Sequence, residues 1–518
     1  MSEPAGHENP VPARVEATPS ADKPAPDGAP SPDPSLRPFP VSPEFLDPDA
    51  VKTLRRLIRF GHTSYLVGGC VRDLVLGREP KDFDISTTAR PRQVRRYFRN
   101  SRVIGRRFRL AHVLYGDKVI EVSTFRARLE GVDPDDDRDG AEKLGVPETD
   151  SSRDLLILRD NVFGGPEDDA RRRDFTINGL FYDIDQQLII DHVGGMEDIA
   201  KHVIRTIGDP EVRFPEDPVR ILRAIKFAAR LDFAFDSATF RAMQRHRGDI
   251  LRCAAPRVLE EIHRMLRGGC AVRTFDLLVE TKVLEVVLPE VAAVIVSRPE
   301  QVDLYRRRFA VLDHMVHDGY EPTSPVLFGL LYFPVTDLYG VLEDESHENW
   351  RAAFSEFETM MESAARRLSL PRRDFGRLHQ AAALQRRLAP GPRKRRFTRL
   401  AVARQPCFEE ALLLFRIEAE STGHWTEEMV RWREAYERGL PARARAAARP
   451  GGSPVNGAAL SPESENGGED PAGAAAASPG TPARDGNRPP GSGRRRRRRR
   501  GRGRHRSSRP NATRMPPE

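Results

Sequence analysis

Two aspartates one residue apart, Asp82 and Asp84, close the stretch Ser64 to Ile85, SYLVGGCVRDLVLGREPKDFDI, and this stretch limits the chain's fold more than any other. Tyr65, Leu66 and Val67 make a short β-prone run, and Gly68 and Gly69 let the backbone turn and come close to a ligand where a short helix begins. A helix that opens on glycines offers unpaired N–H groups to phosphate, and Arg72 in its first turn adds a fork for a phosphate oxygen. Asp82, Phe83, Asp84 and Ile85 alternate in polarity, which on a strand points both carboxylates to one face and Phe83 and Ile85 to the core. At about 6.5 Å and an effective dielectric near 20, the two charges repel by roughly 2.6 kcal/mol. A divalent cation removes that penalty, so the pair reads as a Mg²⁺ site for a nucleoside triphosphate.

The rest of the chain does not all have the means to fold, because its 518 residues include 43 Pro and 39 Gly, concentrated at the ends. Residues 1–43 are rich in Pro, Ala, Ser and Asp, and residues 446–518 in Gly, Ala, Pro, Ser and Arg; both read as disordered. The net charge of +8 resides in the second of these, since Arg488 to Glu518 carries 13 Arg against one Glu and leaves the remainder slightly acidic. The unbroken run Arg494 to Arg500 suits a phosphate backbone, which makes RNA the expected partner. Cys70, Cys253, Cys270 and Cys407 form no CxxC pair, so neither zinc nor a disulfide framework is expected and a reducing cytosol fits. No apolar run is long enough for a membrane span and the N-terminus has no signal-like core, so a soluble cytoplasmic protein is expected.

In order along the chain, the first folded element is a helix entered at Asp47 and Pro48 and ended by Gly61. A helix from Pro91 and a hairpin over Leu110 to Phe125 follow, in which Glu121 is the candidate third carboxylate. Residues 131–152 are acidic and read as an insertion without chemistry. RRRDFTIN, Arg171 to Asn178, places Asp174 and Asn178 four apart to hold a ribose hydroxyl, with Arg173 to neutralise phosphate. Pro215 to Arg230 reads as one amphipathic helix whose polar side carries Asp217, Arg220 and Arg223. A carboxylate acceptor beside a guanidinium donor matches the N6/N1 edge of adenine or the N4/N3 edge of cytosine, and guanine and uracil present the reverse order. The pattern beyond residue 235 is helical, with breaks at Pro289, Pro325 and Pro371. Arg393, Lys394, Arg395 and Arg396 in PRKRRF form a basic patch with an interleaved aromatic, a candidate RNA track.

Five ordered segments, LVGGCVRD with KDFDIST, RRRDFTINGLFYD, DHVGGMEDI and EDPVRILRAIKFAARL, together resemble the class II nucleotidyltransferase superfamily of tRNA CCA-adding enzymes and bacterial poly(A) polymerases. VIGRRFRLAHV, which brings Arg106, Arg107 and Arg109 as candidate RNA contacts, looks like the poly(A) polymerase branch. The resemblance implies an α+β nucleotidyltransferase palm, a mixed sheet with helices, followed by an all-α neck, body and tail. The expected boundaries are 44–190 for the head, 191–270 for the neck and 271–445 for body and tail. It also implies metal binding by Asp82 and Asp84, a catalytic role for Asp174, and nucleotide contacts from Gly69, Arg72, Arg173, Glu216, Asp217, Arg220 and Arg223, to which the reading of the residues themselves adds Gly68 and Asn178.

The expected activity is template-independent, Mg²⁺-dependent addition of AMP from ATP to RNA 3′ ends by a monomer, with RNA-decay or RNA-chaperone proteins as partners. The rivals are a tRNA CCA-adding enzyme and, from another class, a noncatalytic RNA-binding protein that retains the fold.

Overall fold

The computed structural model describes residues 35–105, 109–127, 163–343, 347–390 and 398–439. Arg106, Arg107, the acidic insertion 131–152, the patch Arg393 to Arg396 and the arginine-rich tail lie outside the described residues.

An eight-stranded mixed sheet organises the N-terminal half. Its strands are β1 (Leu36–Pro38), β2 (Ser64–Val67), β3 (Asp84–Thr87), β4 (Ser101–Ile104), β5 (Leu110–Tyr115), β6 (Lys118–Thr124), β7 (Leu180–Asp183) and β8 (Leu188–Asp191), in the order β1-β8-β7-β2-β3-β6-β5-β4. Within it only β3 and β6 pair in parallel, which sets Asp84 opposite Glu121 and Ile85 opposite Val122. Helices α1 (Pro48–Arg59) and α3 (Pro91–Tyr97) cover the face bearing Leu66, Ile85 and Val122. Asp84, Ser86, Glu121 and Ser123 alternate with these residues and so belong to the other face. The Asp47 carboxylate accepts the N–H groups of Asp49 and Ala50, both at 2.9 Å, to cap α1, and Pro48 supplies a fixed φ at its first position.

Three local expectations are corrected. The Pro/Ala-rich segment 1–43 contains β1, which pairs antiparallel with β8 because that edge strand leaves its ladder open. Asp82 precedes β3 rather than lying in it. The helix expected over Pro215 to Arg230 is two helices, separated at Asp217 and Pro218. Proline disfavours helical backbone in the residue before it, and Asp217 sits at φ −146° and ψ 86°.

Short elements carry the chain from the sheet into the helical half: α2 (Gly69–Val75), α4 (Pro166–Arg171), α5 (Gly195–Ala200), α6 (Pro210–Glu216), α7 (Val219–Leu231), α8 (Ser237–His246) and α9 (Ala255–Leu266). In DHVGGMEDI, Asp191 accepts N–H groups from Val193, Gly194, Gly195 and Met196 at 2.8 to 3.1 Å, so this segment is a buttress for α5. A Cβ on Gly195 would lie 2.2 Å from the Thr176 carbonyl oxygen, which explains the glycine there.

Beyond α9 the described chain is helical. Prolines open its helices: Pro289 begins Pro289–Ser297, Pro325 lies in the first turn of Ser324–Tyr332 and Pro371 caps Arg372–Leu388. A buried Arg308–Glu418 pair, 2.7 and 3.0 Å across its two bonds, ties Glu300–His317 to Phe408–Thr422. Among the described residues no helix is long and apolar enough to cross a membrane.

Candidate active site

A cleft of about 680 Å³ opens between the sheet and α7, and its lining brings Gly68, Gly69, Arg72, Asp82, Asp84, Glu121, Arg173, Asp174, Asn178, Asp217, Arg220 and Arg223 together. Glu216 stands at its margin, bonded to Arg213 and Arg220. Nine cationic side chains and six carboxylates line the cleft, a balance that favours a polyanion.

The carboxylates are set by the sheet. Asp84 is mostly buried, and its carboxyl is pushed up to about 6 by that burial, then by Glu121 and Asp82, with Arg173 opposing. Glu121 is half-exposed with its Oε2 3.6 Å from His112 Nε2. Among the described residues no three His, Cys, Asp or Glu side chains come close enough to hold a metal unaided. The donor set fits Mg²⁺ in another way, because this ion is held by one or two carboxylates with substrate phosphates and water completing its shell. Asp82 and Asp84 could supply those carboxylates, and a cation there would relieve the burial and like-charge penalty on Asp84 that Arg173 only partly offsets.

Gly68 has φ +74°, and a Cβ there would meet Arg173 Nη1 at 3.0 Å, so the arginine passes directly over the turn. Arg173 is aimed by Asp169 of α4, whose Oδ2 accepts from Nη2 at 2.9 Å and from Nε at 3.3 Å. Arg72, read from sequence as an open fork for phosphate, is instead buried and engaged. Its Nε and Nη2 donate to Asp73 Oδ1, and its Nη1 donates to Asn178 Oδ1 at 2.6 Å. Asn178 Nδ2 in turn donates to Asp174 at 3.3 Å, so both ends of that amide position other side chains rather than a ribose. Cys70 is fully buried beside this turn, and burial pushes its thiol up to about 12, which leaves it a packing residue.

Asp174 lies buried with Phe175 N–H and Asn178 on one oxygen and Arg223 Nη2 2.6 Å from the other. Burial alone would raise its pKa, but Arg223 and the two hydrogen bonds outweigh it and hold the carboxyl below its usual range. Asp217 and Arg220 do not pair with each other. Arg257 of α9 takes Asp217 Oδ2 at 2.9 Å, and Arg220 Nη1 donates to the Arg213 carbonyl at 2.7 Å.

Sequence reasoning missed Asp169, Arg213, Phe227 and Arg230. Arg213 anchors the chain by donating to the carbonyls of Arg172 and Arg173 at 2.8 and 2.7 Å. Phe227 forms an apolar platform with Arg72, Lys226 and Arg223 within 6 Å of its centroid, and Arg230 reaches Asp73 at 3.3 Å. The spacing Arg220, Arg223, Phe227 and Arg230 was a legible helical face; the Asp169–Arg173 partnership was legible only as an i,i+4 pair.

The family model described as "Poly A polymerase head domain" matches residues 64–205, and that described as "Probable RNA and SrmB- binding site of polymerase A" matches residues 232–295. Poly(A) polymerase I of Escherichia coli O6:H1 is 34% identical over 407 residues, covering 77% of this chain and 84% of that protein. The chain belongs to the bacterial poly(A) polymerase family. Poly(A) polymerase I of Haemophilus influenzae is 32% identical over 77% of this chain and 86% of its own length. The CCA-adding enzyme of Bacillus pumilus is 36% identical, but over 46% of this chain and 54% of that enzyme. The crystal structure of the Bacillus stearothermophilus CCA-adding enzyme in complex with CTP superimposes with a TM-score of 0.50 at 24% identity, covering 78% of this chain and 86% of that one. This last likeness concerns the fold the superfamily shares. The membership makes this protein a polynucleotide adenylyltransferase.

Proposed function

We propose that this protein extends RNA 3′ ends with AMP drawn from ATP, without a template, and that Mg²⁺ is its metal. The observation that carries the reading is the similarity to poly(A) polymerase I, which runs through both the α+β and the helical regions and spans most of that protein. Sequence similarity to the Bacillus pumilus CCA-adding enzyme covers under half of the chain, which favours RNA tailing over CCA addition to tRNA. The reading includes a monomer in a bacterial cytoplasm, with RNA-decay or RNA-chaperone proteins as partners.

In the reaction the RNA 3′-oxygen bonds to the α-phosphorus of ATP, the bond from that phosphorus to the β-phosphate oxygen breaks, and pyrophosphate leaves with that electron pair. The divalent cation, when bound at Asp82 and Asp84, supplies charge neutralisation at the triphosphate and a lower pKa for the attacking hydroxyl. Arg173, locked by Asp169, offers its remaining N–H capacity to phosphate oxygens beside the Gly68 turn. Asp174 stays ionised against Arg223 and fixes the first turns of α7 relative to the sheet. Asp217 and Arg220, already held by Arg257 and the Arg213 carbonyl, present acceptor and donor to the base edge. Because their partners restrain them before ATP arrives, little orientation entropy remains to be lost on binding.

Purified protein incubated with an oligonucleotide RNA, with a tRNA lacking its CCA end, and with single labelled nucleotides tests the reading. Long AMP tails on the oligonucleotide are expected. Addition confined to CMP, CMP and AMP on the tRNA would replace this reading with CCA addition, and no incorporation would replace it with a binding role.

A further inference from the structure

The face of the sheet opposite the cleft carries charge that the reaction does not use. Between Asp84 and Asp117 the chain has nine arginines and no aspartate or glutamate. Of these, Arg92, Arg95 and Arg96 lie exposed on α3 at positions i, i+3 and i+4, away from the buried Val94, and Arg99 follows in the turn. The C-terminal end of α1 meets the same place. Phe60 stacks on Tyr97 with ring centroids 4.1 Å apart and planes within 8°, and His62 Nε2 lies 3.1 Å from the Tyr97 hydroxyl. Arg59, on the last turn of α1, adds another exposed guanidinium.

A bland account is that these arginines offset the partial negative charge at the C-terminal ends of α1 and α3. Each helix end carries only about half an electron charge, so two ends call for roughly one cation. Arg59, Arg95, Arg96 and Arg99 far exceed that need, and Arg92 sits at the opposite end of α3. Arginines gathered this closely, with no acidic residue in the same stretch of chain, repel one another, which a polyanion would relieve. Phe60 adds a second kind of contact. It is a large aromatic ring, 48% exposed, stacked on Tyr97 of α3 and next in sequence to Arg59. A stacking ring among guanidinium groups is the arrangement that holds single-stranded nucleic acid without reading its sequence.

We infer that the surface formed by α1 and α3 is a second binding site for single-stranded RNA, on the side of the sheet away from the catalytic cleft, with Phe60 stacking a base and Arg59, Arg92, Arg95, Arg96 and Arg99 holding phosphates. This rests on the reading of RNA as substrate. The site would retain RNA that extends beyond the cleft, so it acts on long substrates and is silent on short ones.

The test uses the full chain carrying Arg92→Gln, Arg95→Gln and Arg96→Gln together and, separately, Phe60→Ala. None of these side chains lines the cleft. Affinity for a long oligoadenylate across a salt series, and for one labelled with 2-aminopurine, is compared with extension of a short primer that fills only the cleft. The triple variant is expected to bind the long RNA several-fold more weakly at low salt and to flatten the slope of log affinity on log salt by about 0.7 for each phosphate that is no longer neutralised. Phe60→Ala is expected to weaken 2-aminopurine quenching while leaving the salt slope unchanged, an outcome independent of how well the triple variant folds. Both should extend the short primer at the wild-type rate. Long-RNA affinity, salt slope and quenching that match wild type in both variants would overturn the site. A wild-type protein that extends no primer would overturn the catalytic reading instead, so the two failures are distinguishable.

Discussion

Arg223 of α7 holds Asp174, which follows the arginine triplet before β7, across 2.6 Å between Nη2 and Oδ2. This contact joins the sheet to α7, which carries Arg220 and begins two residues after Asp217. It therefore fixes the start of α7 relative to the carboxylates at Asp82 and Asp84, and it keeps Asp174 ionised although that carboxyl is buried.

Arg223→Ala is expected to leave Asp174 buried without its main counter-charge. Breaking a buried pair costs about 3–5 kcal/mol, and because the Arg223 side chain is 40% exposed the loss should be nearer to 2 kcal/mol. Asp174 is held below its ordinary range, so its contribution is present above the unfolded pKa and is lost as pH falls. Removing Arg223 raises the folded pKa and should move the acid limb of the kcat profile to higher pH. Chemical denaturation and a pH–rate series check this; an unmoved acid limb would refute the role assigned to the pair.

Asp84 behaves in the opposite sense. Its carboxyl is pushed up to about 6, above the unfolded value, so between those two values the folded protein binds more protons and stability falls as pH rises. Metal-free Asp84→Asn protein should therefore melt at a higher temperature than wild type at pH 7.5, with the difference closing below pH 4. The same substitution should abolish incorporation, and Mg²⁺ affinity of the wild type should rise with pH up to about 6 and level off above it. Melting curves and Mg²⁺ titrations at several pH values measure both effects, and equal melting temperatures at pH 7.5 would contradict them.

Asp217→Ala or Arg220→Ala should erode the preference for ATP over GTP and UTP by at least tenfold in kcat/KM while changing triphosphate affinity less. The motive is the acceptor and donor these two present, each restrained by its own partner rather than by the other. Steady-state kinetics with each nucleotide reads the ratio. A wild-type ratio in both variants would remove base reading from this pair.

Deleting Arg488 to Glu518, which lies outside the described residues, removes 13 arginines and one glutamate. RNA binding at low salt should weaken and its salt dependence flatten, the slope falling by about 0.7 per phosphate released. Turnover on saturating short primers should persist, because the cleft is untouched. A truncated chain with an unchanged slope would leave the α1–α3 surface as the stronger RNA track.

Much of the site was readable along the chain, because its chemistry is carried by short segments. The alternation through Phe83 and Ile85 announces where Asp84 must face, since a strand has a period of two, and the spacing of Arg220 and Arg223 announces one face of a helix. The capped start of α1 at Asp47 and Pro48 was likewise local, a matter of one carboxylate within reach of two N–H groups.

Tertiary structure decided who partners whom. Arg72 and Asn178 are 106 positions apart, and nothing local shows that the amide of one closes the fork of the other. Asp217 meets Arg257 across 40 positions, and Asp84 feels Glu121 only because β3 and β6 pair in parallel and in register. Sequence alone determined many, though not all, of the charged groups that line the cleft. The fold decided which of them remain free to touch a nucleotide, because a guanidinium or carboxylate taken from water must be satisfied by whatever packing brings within about 3 Å.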